Sequence, residues 1–285
     1  MKVSVVIPVH NGEKTLENCL NSVLNQTYKN YEIIVVDNNS TDNTKKIVDK
    51  FKRDSNKIKY FFEKKIGRGA TRNTGIKNSK GSIIVMIDCD CVAPSHWLKE
   101  LTKPIIDGEE EIVMGGEKDL VGNFWTKNIQ EANLRFIKRN LRGKYSGHID
   151  TKNFAIKSSI IKKFMFDSEI GNMEDLDLYL RIKDRYNILF LKNADVGHYH
   201  RNSFLDFIKT NFDRSYWVFK IYEKHKSREN PIAYPMFDSL NFKNLFLTPL
   251  WVMLQFFKKS FKEALFIIVS ELSWRVGLLI AYFKK

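Results

Sequence analysis

Short apolar runs alternate with amphipathic stretches through the amino-terminal part of the chain. Four runs rich in β-branched residues are typical of buried strands: Val3–Ile7, Glu32–Asp37, Ile58–Phe62 and Ile83–Ile87. The segments between them repeat apolar residues every three or four positions, as Leu16 to Leu24 does, which predicts helices. Strands that alternate with helices indicate an α/β fold with a mostly parallel, Rossmann-like sheet flanked by helices.

Beyond Cys91 the alternation becomes less regular. The pattern predicts a helix at Ser95–Ile106, a strand at Glu111–Met114 that stops at Gly115 and Gly116, strands at Asn153–Ile156 and Ile188–Leu191, and a helix beginning near Glu174. The basic and aromatic stretch from Asp119 to Tyr145 is interpreted as a segment that faces a substrate rather than the core.

Two strongly apolar segments, Leu245–Phe257 and Ala264–Phe283, lie near the carboxyl terminus. Pro249 interrupts the first, and Glu271 with Arg275 interrupts the second. A spanning helix needs ~20 mainly apolar residues, and each central charge costs about 2.5–3.5 kcal/mol on insertion. The pattern therefore favours a helical pair that lies on an anionic membrane surface. The alternative is a helical hairpin that packs on protein, either on this chain or on a second copy in a homodimer.

These patterns divide the chain into three parts. We expect one α/β domain over residues 1–205, with halves at 1–91 and 92–205, a helical connector over 206–240, and apolar and basic helices over 241–285.

The net charge of +14 favours an anionic partner: a nucleotide, a phosphorylated lipid, an acidic membrane surface or nucleic acid. Nucleic acid is the weakest of these options and is not expected as a partner, because the aromatic residues of the basic regions do not alternate as a base-stacking platform requires. Three cysteines, an odd number, predict a reducing compartment without a disulfide framework. The first strand starts at Val3, which leaves no room for a secretory signal, so a cytoplasmic location is expected.

Candidate chemistry begins where the run Ile83–Ile87 meets Asp88 and Asp90. Open α/β sheets bind ligands at the carboxyl ends of their strands, and paired carboxylates there suit a hard cation, Mn²⁺ or Mg²⁺. The alternative is a polar turn. Cys89 and Cys91 could also join His198 and His200 in a zinc site, but the spacing of the cysteines is a poor match.

Asp37 and Asn38 follow the second strand and could contact the base or ribose of a nucleotide, although such residues also cap helices and form turns. Arg68 and Arg72 lie on a glycine-flanked loop that enters a helix, where a diphosphate could bind. The alternative interpretation is that Arg68 and Arg72 belong to a solvated, charged helix face.

Glu174 and Asp175 begin a predicted helix, where acids commonly complement the helix dipole. The functional interpretation makes Asp175 a general base for an acceptor hydroxyl. His198 and His200 lie on the same side of an extended segment and could complete a metal site or be structural.

Residues 1–205 together resemble the inverting glycosyltransferases of family 2, which have the GT-A fold. The resemblance is carried by Val3-Ser-Val-Val-Ile-Pro-Val-His-Asn-Gly12, Glu32 to Asp42, Gly69 to Gly75, Gly81 to Asp90, Glu174-Asp175 and the segment around His198. It implies a nucleotide-diphosphate sugar as donor and Mn²⁺ or Mg²⁺ as cofactor. Asp90 and His198 would hold the metal, with Asp88, Glu174 and His200 as secondary candidates, and Asp175 would be the base. The donor site would comprise Pro8, His10, Asn11, Asp37, Asn38, Arg68, Arg72 and Asp88.

The chain departs from the family pattern at two positions. Many members carry two acids after the second strand, whereas Asn38 follows Asp37 here, which leaves open whether the donor base is uracil or guanine. Cys89 stands between the acids where small residues are common. The apolar carboxyl-terminal segments suggest a membrane-bound, polyprenyl-phosphate-linked acceptor. A sugar-phosphate nucleotidyltransferase and a non-catalytic membrane-docking protein are the two rival classes.

Overall fold

The computed structural model describes residues 1–226 and 261–284. The predicted apolar run Leu245–Phe257 and the last 14 residues of the predicted connector, 227–240, lie outside the described residues.

Ten strands and nine helices are present in these two ranges. The strands are β1 Val3–Val9, β2 Tyr31–Asp37, β3 Ile58–Phe62, β4 Ile83–Ile87, β5 Cys91–Val92, β6 Ile112–Asp119, β7 Leu141–Arg142, β8 Tyr145–Ser146, β9 Asn153–Lys157 and β10 Leu189–His198. The helices are α1 Leu16–Leu24, α2 Thr44–Asp54, α3 Arg68–Asn78, α4 Trp97–Ile106, α5 Phe124–Asn140, α6 Ser158–Phe164, α7 Glu174–Ile182, α8 Phe204–His225 and α9 Phe261–Phe283.

The strands form one sheet in the order β3-β2-β1-β4-β9-β6-β10-β8-β7, and β5 pairs with β10. The pairs β2–β3, β1–β2, β1–β4 and β6–β10 are parallel. Strand β9 runs antiparallel to both of its neighbours, β4 and β6. Its first residue, Asn153, therefore pairs with Ile87 at the carboxyl end of β4. The predicted α/β class and sheet flanked by helices are confirmed.

Apolar side chains cover both faces of this sheet, which is why its central strands read as unbroken apolar runs. Val5 and Ile33 pack on one face with Leu20 of α1, and Val6 and Met86 pack on the other with residues of α3 and α6. Polar side chains are left to the strand ends, where the candidate site lies.

Strand β6 differs from its prediction, because it does not stop at Gly115 and Gly116 but continues to Asp119. Its pairing with β10 extends from Val113 to Asp119. A side chain at position 115 would overlap the carbonyl oxygen of Ala194 and the amide of Asn153. The glycine therefore permits close approach of the backbones and does not end the strand.

The chain divides into two compact units: Met1–Gly122 with Gln130–His200, and Asn123–Ile129 with Arg201–Lys285. In the second unit α9 packs along α8, with Ala264, Leu278 and Ala281 buried. Gly277 lies against Ser215 and the carbonyl oxygen of Phe212 on α8. The small residues of α9 therefore allow the two helices to approach closely.

The opposite face of α9 is apolar and exposed. Among the large exposed side chains of α9, those on this face include Leu265, Leu272, Val276, Leu279 and Phe283. These positions are separated by seven, four, three and four residues, so they form one stripe along the helix. By length and composition alone, the 21 residues Glu263–Phe283 are also long and apolar enough to cross a membrane. We name this surface the α9 stripe.

Candidate active site

Asp90 and His198 lie together at the carboxyl edge of the sheet. Asp90 precedes β5, which pairs with the end of β10 through Cys91 and His198. This pairing places Nε2 of His198 3.4 Å from Oδ2 of Asp90. Burial opposes ionisation of Asp90, but the hydrogen bond from His198 outweighs it and lowers the pKa of the carboxyl group. Residues 108 positions apart in the sequence thus share one contact.

Glu117 is the first residue of the site that the sequence analysis missed. It lies on β6 beside β10, is only 5% exposed, and its Oε2 is 2.9 Å from Nδ1 of His198. Burial disfavours its charged form, but Lys152 and His198 hold the pKa of Glu117 well below its usual range. A lone acid directly after a glycine pair carries little sequence signal. Its one indication is that it shortly follows a predicted strand, Glu111–Met114, and strand ends of such a sheet lie at the ligand-binding edge.

Lys152 and Asp150 were missed for a related reason. They precede β9, and the antiparallel direction of β9 brings them to the same edge as the carboxyl ends of β4 and β6. Nζ of Lys152 lies 3.0 Å from Oε2 of Glu117 and also binds Asp150. Burial would lower the pKa of Lys152, but the two carboxylates raise it, so the ammonium group stays charged.

A second ion-pair network joins Asp88 to the start of α7. Arg72 is only 3% exposed; its Nη2 donates to Oδ1 of Asp88 at 2.8 Å, and its Nη1 donates to Glu174. The structure therefore directs the guanidinium group of Arg72 toward two protein carboxylates. Donor contacts by Arg72 and Asp88 stay predictions.

Asp175 lies in the first turn of α7, next to Glu174, and one of its oxygens accepts a hydrogen bond from the backbone of Leu176. Burial, then repulsion by Glu174 and Asp150, raises the pKa of Asp175 to about 7. A carboxyl group that titrates near neutral pH is suited to accept a proton in a reaction. Asp150 and Glu174 belong to the two networks above, so Asp175 is near both.

The candidate donor residues gather at the ends of β1 and β2. Nδ1 of His10 donates to the carbonyl oxygen of Asn38 at 2.7 Å, because a carbonyl can only accept. The side chain of Asn38 donates to the carbonyl oxygens of Glu63 and Lys65 and accepts from the backbone of Gly67. Asn38 therefore fastens the loop that leads into α3.

Asp37 ends β2 and is 2% exposed. Its oxygens accept from the hydroxyl of Tyr60 at 2.9 Å and from the backbone of Ser40 at 3.0 Å. Burial and then Asp37 raise the pKa of Tyr60. The carboxylate of Asp37 is thus held in a fixed orientation.

Pro8 and Asn11 lie at and just after the end of β1, and Arg68 is the first residue of α3. Pro8 is half-buried on β1 opposite Val36, and Asn11 accepts from the backbone of Thr41 at 2.8 Å. Arg68 begins α3, is exposed, and donates from Nη1 to Asn172 at 2.8 Å. Its remaining N–H groups can reach a ligand.

His200 is buried next to His198, with 4.2 Å between the ring centroids. Burial, then the neighbouring His198, lowers its pKa to about 4. Its Nε2 lies 3.2 Å from Oε1 of Gln130. In the described ranges, one group of potential ligands joins Asp90, Cys91 and His198, and a second joins Glu117, His198 and His200. Cys89 belongs to neither group, so the alternative zinc set of two cysteines and two histidines is not assembled.

The Asp90 and His198 pair fits a hard divalent cation. Because Nδ1 of His198 faces a carboxylate, Nε2 is the nitrogen directed toward Asp90. The ligand atoms of Asp90, Cys91 and His198 lie within 4.8 Å of one another. A carboxylate oxygen together with an imidazole nitrogen suits Mn²⁺, and the oxygen ligands also suit Mg²⁺. Burial would lower the pKa of His198, but its hydrogen bonds to Asp90 and Glu117 raise it to about 9, so the imidazole is charged at neutral pH. The carboxylates of Asp90, Glu117 and Asp150 then exceed the positive charges of His198 and Lys152 by one, and a cation at this site would take the place of the proton on Nε2.

The fold and this site define an α/β enzyme class, and the comparisons with known proteins identify the family. The sequence profile described as "Glycosyl transferase family 2" matches residues 4–165, more than half of the chain. The chain belongs to this family and is a glycosyltransferase. The resemblance found in the sequence is confirmed.

Curated relatives include three named glycosyltransferases. The glycosyltransferase GlyA of Streptococcus pneumoniae is 34% identical over 47% of this chain and 18% of its own length. The glycosyltransferase AglE of Haloferax volcanii is 26% identical over 90% of this chain and 82% of its own. The GalNAc(5)-diNAcBac-PP-undecaprenol beta-1,3-glucosyltransferase of Campylobacter jejuni is 30% identical over 60% and 57%. The chain thus spans less than a fifth of GlyA and about half of the Campylobacter jejuni relative.

Solved structures share the fold. The mannosyltransferase PcManGT of Pyrobaculum calidifontis, in complex with GDP-Man and Mn²⁺, is 16% identical with a TM-score of 0.71 over 99% of this chain and 86% of its own. TarS 1-349 of S. aureus, in complex with UDP-GlcNAc, is 19% identical with a TM-score of 0.58 over 88% and 79%. Both likenesses establish the fold.

Proposed function

We propose that this glycosyltransferase moves a sugar from a nucleotide-diphosphate sugar, with UDP-sugars preferred, to the hydroxyl group of a lipid-linked glycan. The reaction is a metal-assisted direct displacement that inverts the anomeric carbon. The observation that carries this proposal is a chain of contacts from Asp90 through His198, Glu117 and Lys152 to Asp150, whose charge in turn acts on Asp175. The domain halves 1–91 and 92–205 supply the donor side and the acceptor side.

The donor half orients the nucleotide-sugar. Pro8, His10 and Asn11 border the nucleoside, and the fixed carboxylate of Asp37 accepts from its base or ribose. Arg68 donates to the diphosphate with the N–H groups that Asn172 leaves free, which stabilises the charge that develops as the diphosphate departs.

In this proposal Arg72 and Asp88 support the donor site through their ion pair. Their ion pair, extended by Glu174, joins the end of β4 to the start of α7. This network holds the donor half and the proposed base, Asp175, in fixed positions relative to each other. Removing one partner of such a buried pair is costly because the other charge is left uncompensated.

Asp90 and His198 would hold Mn²⁺ or Mg²⁺, with Cys91 beside them and Asp88, Glu174 and His200 as secondary candidates. When bound, the cation supplies Lewis-acid neutralisation of the diphosphate charge. A mannosyltransferase of the same fold was solved with Mn²⁺, which supports this choice.

Asp175 accepts the proton of the acceptor hydroxyl as the acceptor oxygen attacks the anomeric carbon. The bond from that carbon to the diphosphate oxygen breaks on the opposite face, which inverts the configuration. A pKa of about 7 for Asp175 supports this role, because the carboxylate is then present at neutral pH while remaining basic enough to take the proton.

A polyprenyl-phosphate-linked acceptor is supported by the Campylobacter jejuni relative, whose name includes undecaprenol. We propose that the protein is cytoplasmic and binds the cytoplasmic face of an anionic membrane through the α9 stripe. A net charge of +14 favours such a surface.

A panel of UDP- and GDP-sugars tests the proposal. The protein is incubated with each donor and Mn²⁺, and release of nucleoside diphosphate is measured with and without a short-chain polyprenyl-diphosphate glycan. We expect acceptor-dependent release of UDP, lost in Asp90→Ala. The matched control is Asp49→Ala on the exposed face of α2. Release of GDP alone would overturn the donor assignment, and pyrophosphate release from a nucleoside triphosphate would indicate a nucleotidyltransferase.

A further inference from the structure

The imidazole ring of His198 is held between two carboxylates. Oε2 of Glu117 is 2.9 Å from Nδ1, and Oδ2 of Asp90 is 3.4 Å from Nε2. An ionised carboxylate only accepts hydrogen bonds, so Nδ1 must carry the proton that it donates to Glu117. With a proton fixed on Nδ1, Nε2 is the nitrogen that can give up its proton and present a lone pair to a cation on the side of Asp90.

Glu117 is itself held firmly. Its Oε2 also accepts from Nζ of Lys152 at 3.0 Å, and its Oε1 accepts from the side-chain amide of Asn133 at 2.5 Å. Strands β6 and β10 are paired here in parallel, with Glu117 opposite Val196 and Asp119 opposite His198. Backbone pairing and three polar partners thus fix the position of this carboxylate.

We propose that Glu117 is a positioning residue for metal binding: it orients His198 and sets the tautomer that directs Nε2 toward the Asp90 site. This inference rests on the proposed function, since it takes Asp90 and His198 as the metal ligands. Carboxylates that accept from the far nitrogen of a ligating histidine increase its basicity, and their loss typically lowers metal affinity about 10–100-fold.

Two other roles are possible for a carboxylate in this place. Glu117 could attract a cation by its charge alone, or it could only neutralise Lys152 for folding. The first role does not depend on His198, and the second does not affect the affinity for metal. A binding measurement on suitable variants separates all three.

The experiment measures the Mn²⁺ dissociation constant of the full chain by the EPR signal of free Mn²⁺, with no nucleotide present. The variants are Glu117→Gln, which removes the charge, and Glu117→Asp, which keeps the charge but withdraws it from Nδ1. We expect both to weaken Mn²⁺ binding about 10–100-fold. The matched control is Glu110→Gln, because Glu110 is also a nearly buried carboxylate that binds a lysine, Lys144, but it lies before the other end of β6.

A double-mutant cycle then identifies the route of the effect. In a His198→Ala background we expect Glu117→Gln to weaken Mn²⁺ binding by less than twofold, because the residue through which it acts is gone. An undiminished effect in that background, or unchanged affinity in Glu117→Asp, would show that charge alone is responsible and would overturn the proposal. Unchanged affinity in Glu117→Gln would leave only the folding role and overturn it as well.

The outcomes also separate this inference from the proposed function. If the unmodified protein binds Mn²⁺, and the Glu117 variants bind it as tightly as the control Glu110→Gln does, the positioning role fails and the metal site stands. If the unmodified protein does not bind Mn²⁺ and transfers sugar equally well in EDTA, the metal site itself fails, and the positioning role fails with it.

Discussion

The side chain of Asp175 shows how the environment of a single residue can prepare it for chemistry. Its carboxyl group is partly removed from water and faces the negative charges of Glu174 and Asp150, which raises its pKa to about 7. Arg72 opposes this shift, because its positive charge favours the ionised form. Two predictions follow from this balance, one for the reaction and one for the fold.

The first prediction concerns the pH dependence of the reaction. If Asp175 is the base, it must be ionised, so kcat/KM should rise with pH and level off with an apparent pKa of about 7. Asp175→Asn should lower kcat about 10²–10⁴-fold, because general base catalysis contributes that much. The measurement is a pH profile of sugar transfer from pH 5 to 9. A profile that is flat through pH 7, or near-normal transfer by Asp175→Asn, would rule out the assignment.

The second prediction concerns stability. The pKa of Asp175 is higher in the folded protein than the ordinary value of 3.8, so the folded state binds its proton more tightly than the unfolded state does. The stabilising contribution of this proton is complete below about pH 4 and is lost as the pH rises through about 7. Asp175→Asn should therefore increase the free energy of unfolding at pH 8 and have little effect at pH 4. Urea unfolding at both pH values tests this, with the exposed Asp49→Asn as control. A decrease at pH 8 would contradict it.

Sequence reasoning found some of the site residues and missed others for an identifiable physical reason. Acids that directly follow a buried run, such as Asp37 and Asp90, are visible because the polarity changes abruptly at the strand end. Glu117 and Lys152 gave no such signal. The first lies inside a strand that two glycines seem to end, and the second precedes a strand whose direction the sequence does not reveal.

At the scale of elements, most strands and helices follow from local pattern because each buries one apolar face or two. Strand β3 matches its predicted range, and α4 begins two residues after the predicted start. The reversed direction of β9 depends on pairing with β4 and β6, which are far away in sequence. The length of β10, which runs to His198, depends in the same way on pairing with β6. Such long-range pairing is not encoded in the local pattern.

The third prediction concerns the packing of α8 and α9. A side chain on Gly277 would overlap the hydroxyl of Ser215 and the backbone oxygen of Phe212. The backbone cannot move aside easily, so Gly277→Ala should destabilise this helical unit by about 1–3 kcal/mol. Hydrogen exchange of the α8 and α9 amides would report the loss. Val276→Ala, at the neighbouring exposed position, should have a much smaller effect. Equal protection in both variants would mean that the helices are less closely packed than described.

At the scale of the whole molecule, a positive charge and an apolar stripe occur in the same chain. Membrane surfaces that contain anionic lipid attract the charge, and their interior accepts the apolar side chains. Within α9, Nε of Arg275 lies 3.7 Å from Oε2 of Glu271, so the two charges partly neutralise each other. A helix that lies along the surface keeps such a pair near water, whereas a spanning helix would bury it.

The fourth prediction tests this surface. Leu272→Asp with Leu279→Asp should reduce cosedimentation with vesicles of phosphatidylglycerol and phosphatidylcholine at least tenfold, because each leucine contributes about 1.5–3 kcal/mol when buried. The control is Leu134→Asp, the same change at an exposed leucine of α5. Vesicles of phosphatidylcholine alone should bind the unmodified protein weakly. If the double variant binds vesicles normally but changes from dimer to monomer in sedimentation, the stripe is a contact between copies of the chain.

The amide of Asn38 has a consequence for any attempt to change the sugar nucleotide that this enzyme accepts. Both of its polar ends are occupied by the backbone at Glu63, Lys65 and Gly67. An aspartate in its place would set a negative group against two carbonyl oxygens and release the segment from which Arg68 projects. Redesign of base selectivity should therefore leave the hydrogen bonds of Asn38 intact. It should begin instead with the side chains around His10, where the surface is open.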